Sequence, residues 1–158
     1  MISNSTPIIL LGRINRLEVL QRLFGRISIP EAVKKEVFIE DKPGYIPIKK
    51  ALEEKWIRLH KPTIILPLHL GKGETEAISL AREKKEPLII DDAFAINAAK
   101  TYNIKIFRTT TVIFMAFHQH IFNKTETINA INLLIQEGYY IKPSEYAALL
   151  NRLHELTD

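Results

Sequence analysis

The stretch Pro87-Leu88-Ile89-Ile90 is apolar without interruption and stops at Asp91-Asp92. A short run of this kind, with no polar residue alternating through it, fits a strand of a parallel sheet whose two faces are both covered. Parallel strands need crossover connections, and the flanking segments supply them. Ala77, Ile78, Leu80 and Ala81 form an apolar helical stripe ahead of the run, and the alanine-rich segment from Ala93 to Tyr102 follows it. The same alternation recurs elsewhere. Met1 to Ser3 reads as an opening strand, and Asn4-Ser5-Thr6-Pro7 supplies cap chemistry with a proline suited to a first helical turn.

Further along, Leu17, Leu20, Leu23 and Phe24 recur at helical spacing, Ile27 to Ile29 forms a strand, and Pro30 opens a helix through Val33, Val37 and Phe38. A helix around Ile48, Ala51 and Leu52 leads to an alternating strand at Trp56 to His60. An irregular stretch from Pro62 to Leu70 then closes at Gly71-Lys72-Gly73. Lys105 to Phe107 is the next strand, and Arg108 to Thr111 is its junction with a helix. Helical segments follow around Val112 to Ile121, Thr125 to Gln136 and Pro143 to Leu156. The expectation is an α/β, three-layer α/β/α domain with a mainly parallel central sheet. A single domain over residues 1–158, with a helical C-terminal region at about 111–158, suits a chain of 158 residues that is 46% hydrophobic.

Composition narrows the chemistry. The chain has no cysteine, which excludes disulfides, thiolate metal sites and a cysteine nucleophile. Any metal is therefore held by oxygen or imidazole. The apolar runs are far shorter than a membrane span, so a cytoplasmic protein without membrane contact is expected. The formal net charge is +4, with lysine pairs at Lys34-Lys35, Lys49-Lys50 and Lys84-Lys85. Such pairs suit a phosphate backbone, although solvated helix faces carry them too.

In parallel sheets, ligands bind beyond the carboxyl ends of the strands. Asn4 follows the first strand, and Asp91 and Asp92 follow the run at Leu88 to Ile90. Glu74 begins the helix leading into that run, and Glu36 lies on the helix opened by Pro30. Carboxylates gathered at one edge repel one another, and a divalent cation is the direct way to keep them ionised. Oxygen donors favour Mg2+ or Mn2+, ions that acidify bound water and stabilise the charge of a displaced phosphodiester oxygen. Taken singly, the residues have simpler readings. Asp92 and Asn4 are good helix caps, Glu74 suits a first helical turn, and Glu36 suits an exposed helix face. Glu76 competes with Glu74 if the helix starts in another phase. Phe114, Phe117 and Phe122 read as core or interface.

Four segments in order resemble the PIN-domain family, in a subgroup of short prokaryotic chains. They are Ser3 to Ile9, Ile29 to Val37, Gly71 to Ile78 and Leu88 to Asp92, and Glu137-Gly138-Tyr139-Tyr140-Ile141 matches the subgroup's C-terminal pattern. The resemblance covers nearly the whole chain. It implies a Rossmann-like PIN fold and a Mg2+- or Mn2+-dependent endoribonuclease, related to toxins of VapC-like toxin–antitoxin pairs. RNA, an antitoxin protein and a second copy in a homodimer are the implied partners. By motif position Asn4 stands in place of the usual first aspartate, Glu36 is the helix glutamate, Glu74 replaces the third aspartate and Asp92 is the last acid, with Asp91 its competitor. Catalytic duty thus falls to Glu36, Glu74 and Asp92, with Asn4 and Asp91 added as metal ligands. Ser5, Lys34, Lys35 and Thr109 are the candidates to contact RNA. An amide oxygen at Asn4 coordinates a cation but carries no charge. The alternative is therefore a weakened or inactive PIN-like module that binds nucleic acid or another protein.

Overall fold

A computed structural model of the chain, described over residues 1–156, contains one five-stranded sheet in which every pairing is parallel. The strands are β1 (Ile2–Ser3), β2 (Ile27–Ile29), β3 (Ile57–Leu59), β4 (Leu88–Ile89) and β5 (Ile106–Phe107). The helices are α1 (Ser5–Arg13), α2 (Glu18–Phe24), α3 (Glu31–Val37), α4 (Tyr45–Glu53), α5 (Lys72–Lys84), α6 (Ala93–Thr101), α7 (Thr109–His118), α8 (Lys124–Gln136) and α9 (Pro143–Glu155). Among the described residues no helix is long and apolar enough to cross a membrane.

The strand order is β3-β2-β1-β4-β5. The chain builds outward from β1 through β2 to β3, then returns to the other side of β1 to lay down β4 and β5. That reversal makes the gap between β1 and β4 the switch point of the sheet, where connections leave in opposite directions and a crevice opens at the carboxyl edge. The register there is fixed. Ile2 lies opposite Leu88 and Ser3 opposite Ile89, and the Asn4 N–H donates to the Ile89 carbonyl at 2.9 Å.

The central strands are buried on both faces, as their apolar sequences require: Ile2, Ile27, Ile29, Leu88, Ile89 and Ile90 have no exposed surface. The apolar stripe of α5 is buried at Ala77, Ile78, Leu80 and Ala81, and Phe114, Phe117 and Phe122 are likewise core. Strand β3 departs from the expected inward-outward alternation. It spans three residues rather than five, and Leu59 is 42% exposed alongside exposed Arg58. The reason is position: β3 is an edge strand, paired with β2 alone.

The expected C-terminal helical region begins two residues early, at Thr109 in α7, and residues 157–158 lie outside the described residues. A reciprocal cap starts α8: Asn123 Oδ1 accepts from the Glu126 N–H at 2.9 Å, and Glu126 Oε2 accepts from the Asn123 N–H at 2.8 Å. Helix α8 ends where Tyr139 N–H bonds Leu134 O at 2.9 Å and Gly138 N–H bonds Ile135 O at 3.0 Å. These two bonds and the left-handed φ of +92° at Gly138 are a Schellman stop. The Glu137-Gly138-Tyr139-Tyr140 pattern thus has a physical basis: glycine takes the backbone conformation that side chains resist, and Tyr139 turns inward behind it.

Tyr139 fastens this region to the sheet. Its Oη donates to Asp91 Oδ1 at 2.9 Å, and the same carboxylate accepts from the Thr109 N–H at 2.9 Å and from Thr109 Oγ1 at 2.6 Å. Both oxygens of Asp91 are thereby used in holding β4, the start of α7 and the end of α8 together. Asp91, expected as a metal ligand, is thus engaged by three donors of the protein itself, and Thr109, expected to contact RNA, is fully buried with its hydroxyl donated to Asp91.

Burial, assisted by the Asp91 charge, pushes the Tyr139 phenol up to about 12. An unfolded tyrosine ionises near ~10. The folded state therefore holds the proton more tightly. Its contribution is complete below about pH 10 and is lost as pH rises toward about 12. Replacing Tyr139 with Phe should cost about 1.5–3 kcal/mol at neutral pH through the lost charge-assisted hydrogen bond. In differential scanning calorimetry this should lower Tm by roughly 4–8 °C. The fall in Tm between pH 10 and 12 should be shallower in Tyr139→Phe than in the native chain, and equal slopes would contradict the assignment.

Candidate functional site

Asn4 and Asp92 follow the ends of β1 and β4 at the switch point, and the carboxylates of Glu74 and Glu36 lie at the start of α5. Asn4 caps the end of β1 and is 1% exposed. It occupies the N-cap position of α1, yet its side chain makes no cap hydrogen bond, and Oδ1 is buried with no partner. A buried amide oxygen left unpaired costs about 1–3 kcal/mol, so it marks a place where something beyond the protein's own donors is called for. Ser5, the next residue, is buried in the first turn of α1 at 7% exposure.

Asp92 does cap a helix. Its Oδ1 accepts from the Ala95 N–H at 2.8 Å at the start of α6, which fixes the carboxylate while Oδ2 takes no part in that bond. The residue is exposed and lines a cleft of about 530 Å3 with Glu74, His69, Leu70, Gly71 and Phe94. The cap reading therefore holds, and it leaves the second oxygen of Asp92 outside the cap bond.

Glu74 sits in the first turn of α5, with its carboxylate lying over the α-carbon of Gly71. Glu36, exposed on the last turn of α3, reaches the same helix start. A methyl group added at Gly73 would stand 2.5 Å from Glu36 Oε1 and 2.7 Å from Oε2. The two glycines thus form a cradle that only hydrogen atoms can share with these carboxylates. Two acids at the amino end of a 13-residue helix also meet its positive dipole end. Glu76 does not compete: its Oε2 accepts from the Ala32 N–H at 3.1 Å, capping α3 instead.

Glu36 lies against Gly73 and Glu74 against Gly71 at the start of α5, and Glu74 and Asp92 share the cleft. Among the described residues no three carboxylates or imidazoles form a ready cluster for a metal ion. The donor set is nevertheless all oxygen, and the orphaned Asn4 Oδ1 is the acceptor a hard cation satisfies, so the residues present suit Mg2+ or Mn2+ rather than a softer metal. The lysines fare differently. Lys35 is exposed, whereas Lys34 lines a separate cleft of about 640 Å3 along β3 with Phe38, Lys49 and Arg58, not the cleft of Glu74 and Asp92.

His69 is the residue that sequence reasoning missed. It faces the Glu74–Asp92 cleft from the irregular stretch before α5, where its one signal was a lone imidazole between two leucines.

Comparison with known proteins gives two findings. A family model described as DUF3368: PIN domain matches residues 1–155. Among solved structures, the fold is similar to that of a PilT N-terminus domain protein from the hyperthermophilic archaeon Sulfolobus solfataricus P2. The TM-score is 0.50 at 20% identity, over 71% of this chain and 90% of that one. No curated protein matches.

Gly73→Ala tests the cradle. The added methyl meets only the mobile end of Glu36, and alanine favours a helix over glycine by about 1 kcal/mol, so Tm should stay level or rise. Displacing Glu36 should weaken Mn2+ binding by about tenfold in a calorimetric titration. Unaltered affinity would show that the placement of Glu36 is irrelevant to cation binding.

Proposed function

Because the chain belongs to the PIN-domain family, we propose that it is a metal-dependent endoribonuclease that hydrolyses RNA phosphodiesters at the carboxyl edge between β1 and β4. The observation that carries this reading is the shared placement of Glu74 and Asp92 in one cleft, with Glu36 against Gly73 at the same helix start and an unpartnered oxygen of Asn4 at the neighbouring strand end. These four residues are the ones that would hold Mg2+ or Mn2+. When bound, such an ion acidifies water and offsets charge on the oxygens of a phosphodiester under displacement.

The protein's own part is placement. Asp92 is kept in position by its bond to the Ala95 N–H, and Glu36 by the glycine cradle at the start of α5. Asn4 contributes a neutral amide oxygen, so the site carries one negative charge fewer than an aspartate there would give. Binding of a divalent ion is correspondingly weaker. RNA is the substrate in this reading, and an antitoxin protein and a second copy of the chain are its partners.

A second reading rests on Asn4. If the missing charge leaves the site unable to retain a cation, the protein is a PIN-like module that binds nucleic acid or protein without cleaving it. The two readings separate cleanly by experiment.

In the nuclease reading, Glu74→Gln and Asp92→Asn each reduce Mn2+-dependent cleavage of an RNA oligonucleotide by at least about 100-fold. Tm stays near that of the native chain, since asparagine caps a helix as well as aspartate. Full activity in either purified variant rejects the assignment. Asn4→Asp places a charge in a buried position, so without metal Tm should fall, and added Mn2+ should raise it by more than in the native chain. A gain in cleavage identifies a weakened nuclease, and no response to Mn2+ favours the binding module.

A further inference from the structure

The adjacent tyrosines of the C-terminal pattern have opposite surroundings. Tyr139 is buried against Asp91, whereas Tyr140, past the turn at Gly138, is 73% exposed. A single exposed aromatic needs no explanation by itself. This one lines a cleft of about 670 Å3, together with Asp92, Lys100, Arg108, Lys142 and Glu145. Asp92 also lines the cleft of Glu74, so the two clefts meet at one carboxylate. Three cations line the same cleft, with Arg108 lying over the Tyr139 ring at 5.9 Å. Arg108 is partly committed, with Nη1 at 3.8 Å from Glu145 Oε2 and Nε at 4.0 Å from Asp91 Oδ1. Lys100 and Lys142 are exposed and make no ion pair among the described residues.

Cations lining a cleft with an exposed aromatic ring are the chemistry that holds a single strand: ammonium groups follow the phosphates while an unpaired base lies on the ring. A duplex keeps its bases stacked within the helix and offers none to Tyr140. We propose that the cleft between α6 and the turn after α8 is a single-stranded RNA track. In it Tyr140 stacks a base, and Lys100 and Lys142 contact the backbone leading to Asp92. The assignment of RNA rests on the nuclease reading above, and it adds to that reading the side chains that hold the strand and the side from which it approaches.

The test is fluorescence anisotropy with a labelled single-stranded RNA oligonucleotide in EDTA, where cleavage plays no part. Tyr140→Ala should weaken binding by about tenfold, and Tyr140→Trp should restore it. Lys142→Gln should weaken binding and reduce the slope of log K against log salt by about 0.7. A duplex of the same sequence should compete poorly. Native-like affinity in Tyr140→Ala, or equal competition by the duplex, overturns the proposal. So does a Tyr140→Ala variant that alters self-association in sedimentation while binding RNA normally, since the ring then belongs to a protein contact. Tyr140-dependent binding without Mn2+-dependent cleavage rejects the nuclease reading and keeps the track. Cleavage with Tyr140-independent binding does the reverse.

Discussion

Ser3 lies opposite Ile89, and the Asn4 N–H donates to the Ile89 carbonyl. This short ladder between β1 and β4 joins parts of the chain that are more than eighty residues apart, and the rim depends on it. It sets the ends of two strands side by side at the point where the sheet reverses its order of construction. Asn4 and the Asp91-Asp92 pair then project from the same edge. A slip of one residue would exchange the inward and outward faces of the strand ends and separate these groups.

Consecutive residues leaving a strand point in different directions, and the chain uses this twice. Asp91 turns into the protein and accepts three hydrogen bonds, whereas Asp92 turns out into two clefts and caps α6 on the way. Tyr139 and Tyr140 divide in the same manner. In each pair one member builds the framework that keeps the other in place. The Asp91–Tyr139 bond joins the two pairs, and Asp92 and Tyr140 line one cleft.

The sheet was legible in the sequence because its central strands are buried on both faces, which leaves uninterrupted apolar runs such as Leu88 to Ile90. Helices α5 and α6 were legible from their stripes. The fate of Asp91 was not, because its partners Thr109 and Tyr139 stand 18 and 48 residues further on and are polar residues with many possible uses. Thr109 and Ser5 looked like surface hydroxyls, since nothing local in a sequence records how deeply a helix start is buried. Leu59 looked like an inward residue because alternation shows two faces of a strand but not whether a neighbouring strand covers its edge. Lys34 and Lys35, adjacent in sequence, were grouped as one basic patch, although helical geometry sends them to different surroundings. The orphaned oxygen of Asn4 was beyond reach of sequence, because asparagine at a helix start is ordinarily a cap.

The reliance of Asp91 on Tyr139 also orders events during synthesis. As the chain emerges from the ribosome, all five strands and the start of α7 are complete well before residue 139 appears. Until then the carboxylate lacks its phenolic donor, and the wall that carries Tyr140 does not exist. The vectorial growth of the polypeptide therefore leaves the cleft lined by Asp92 and Tyr140 incomplete until the segment after α8 has docked.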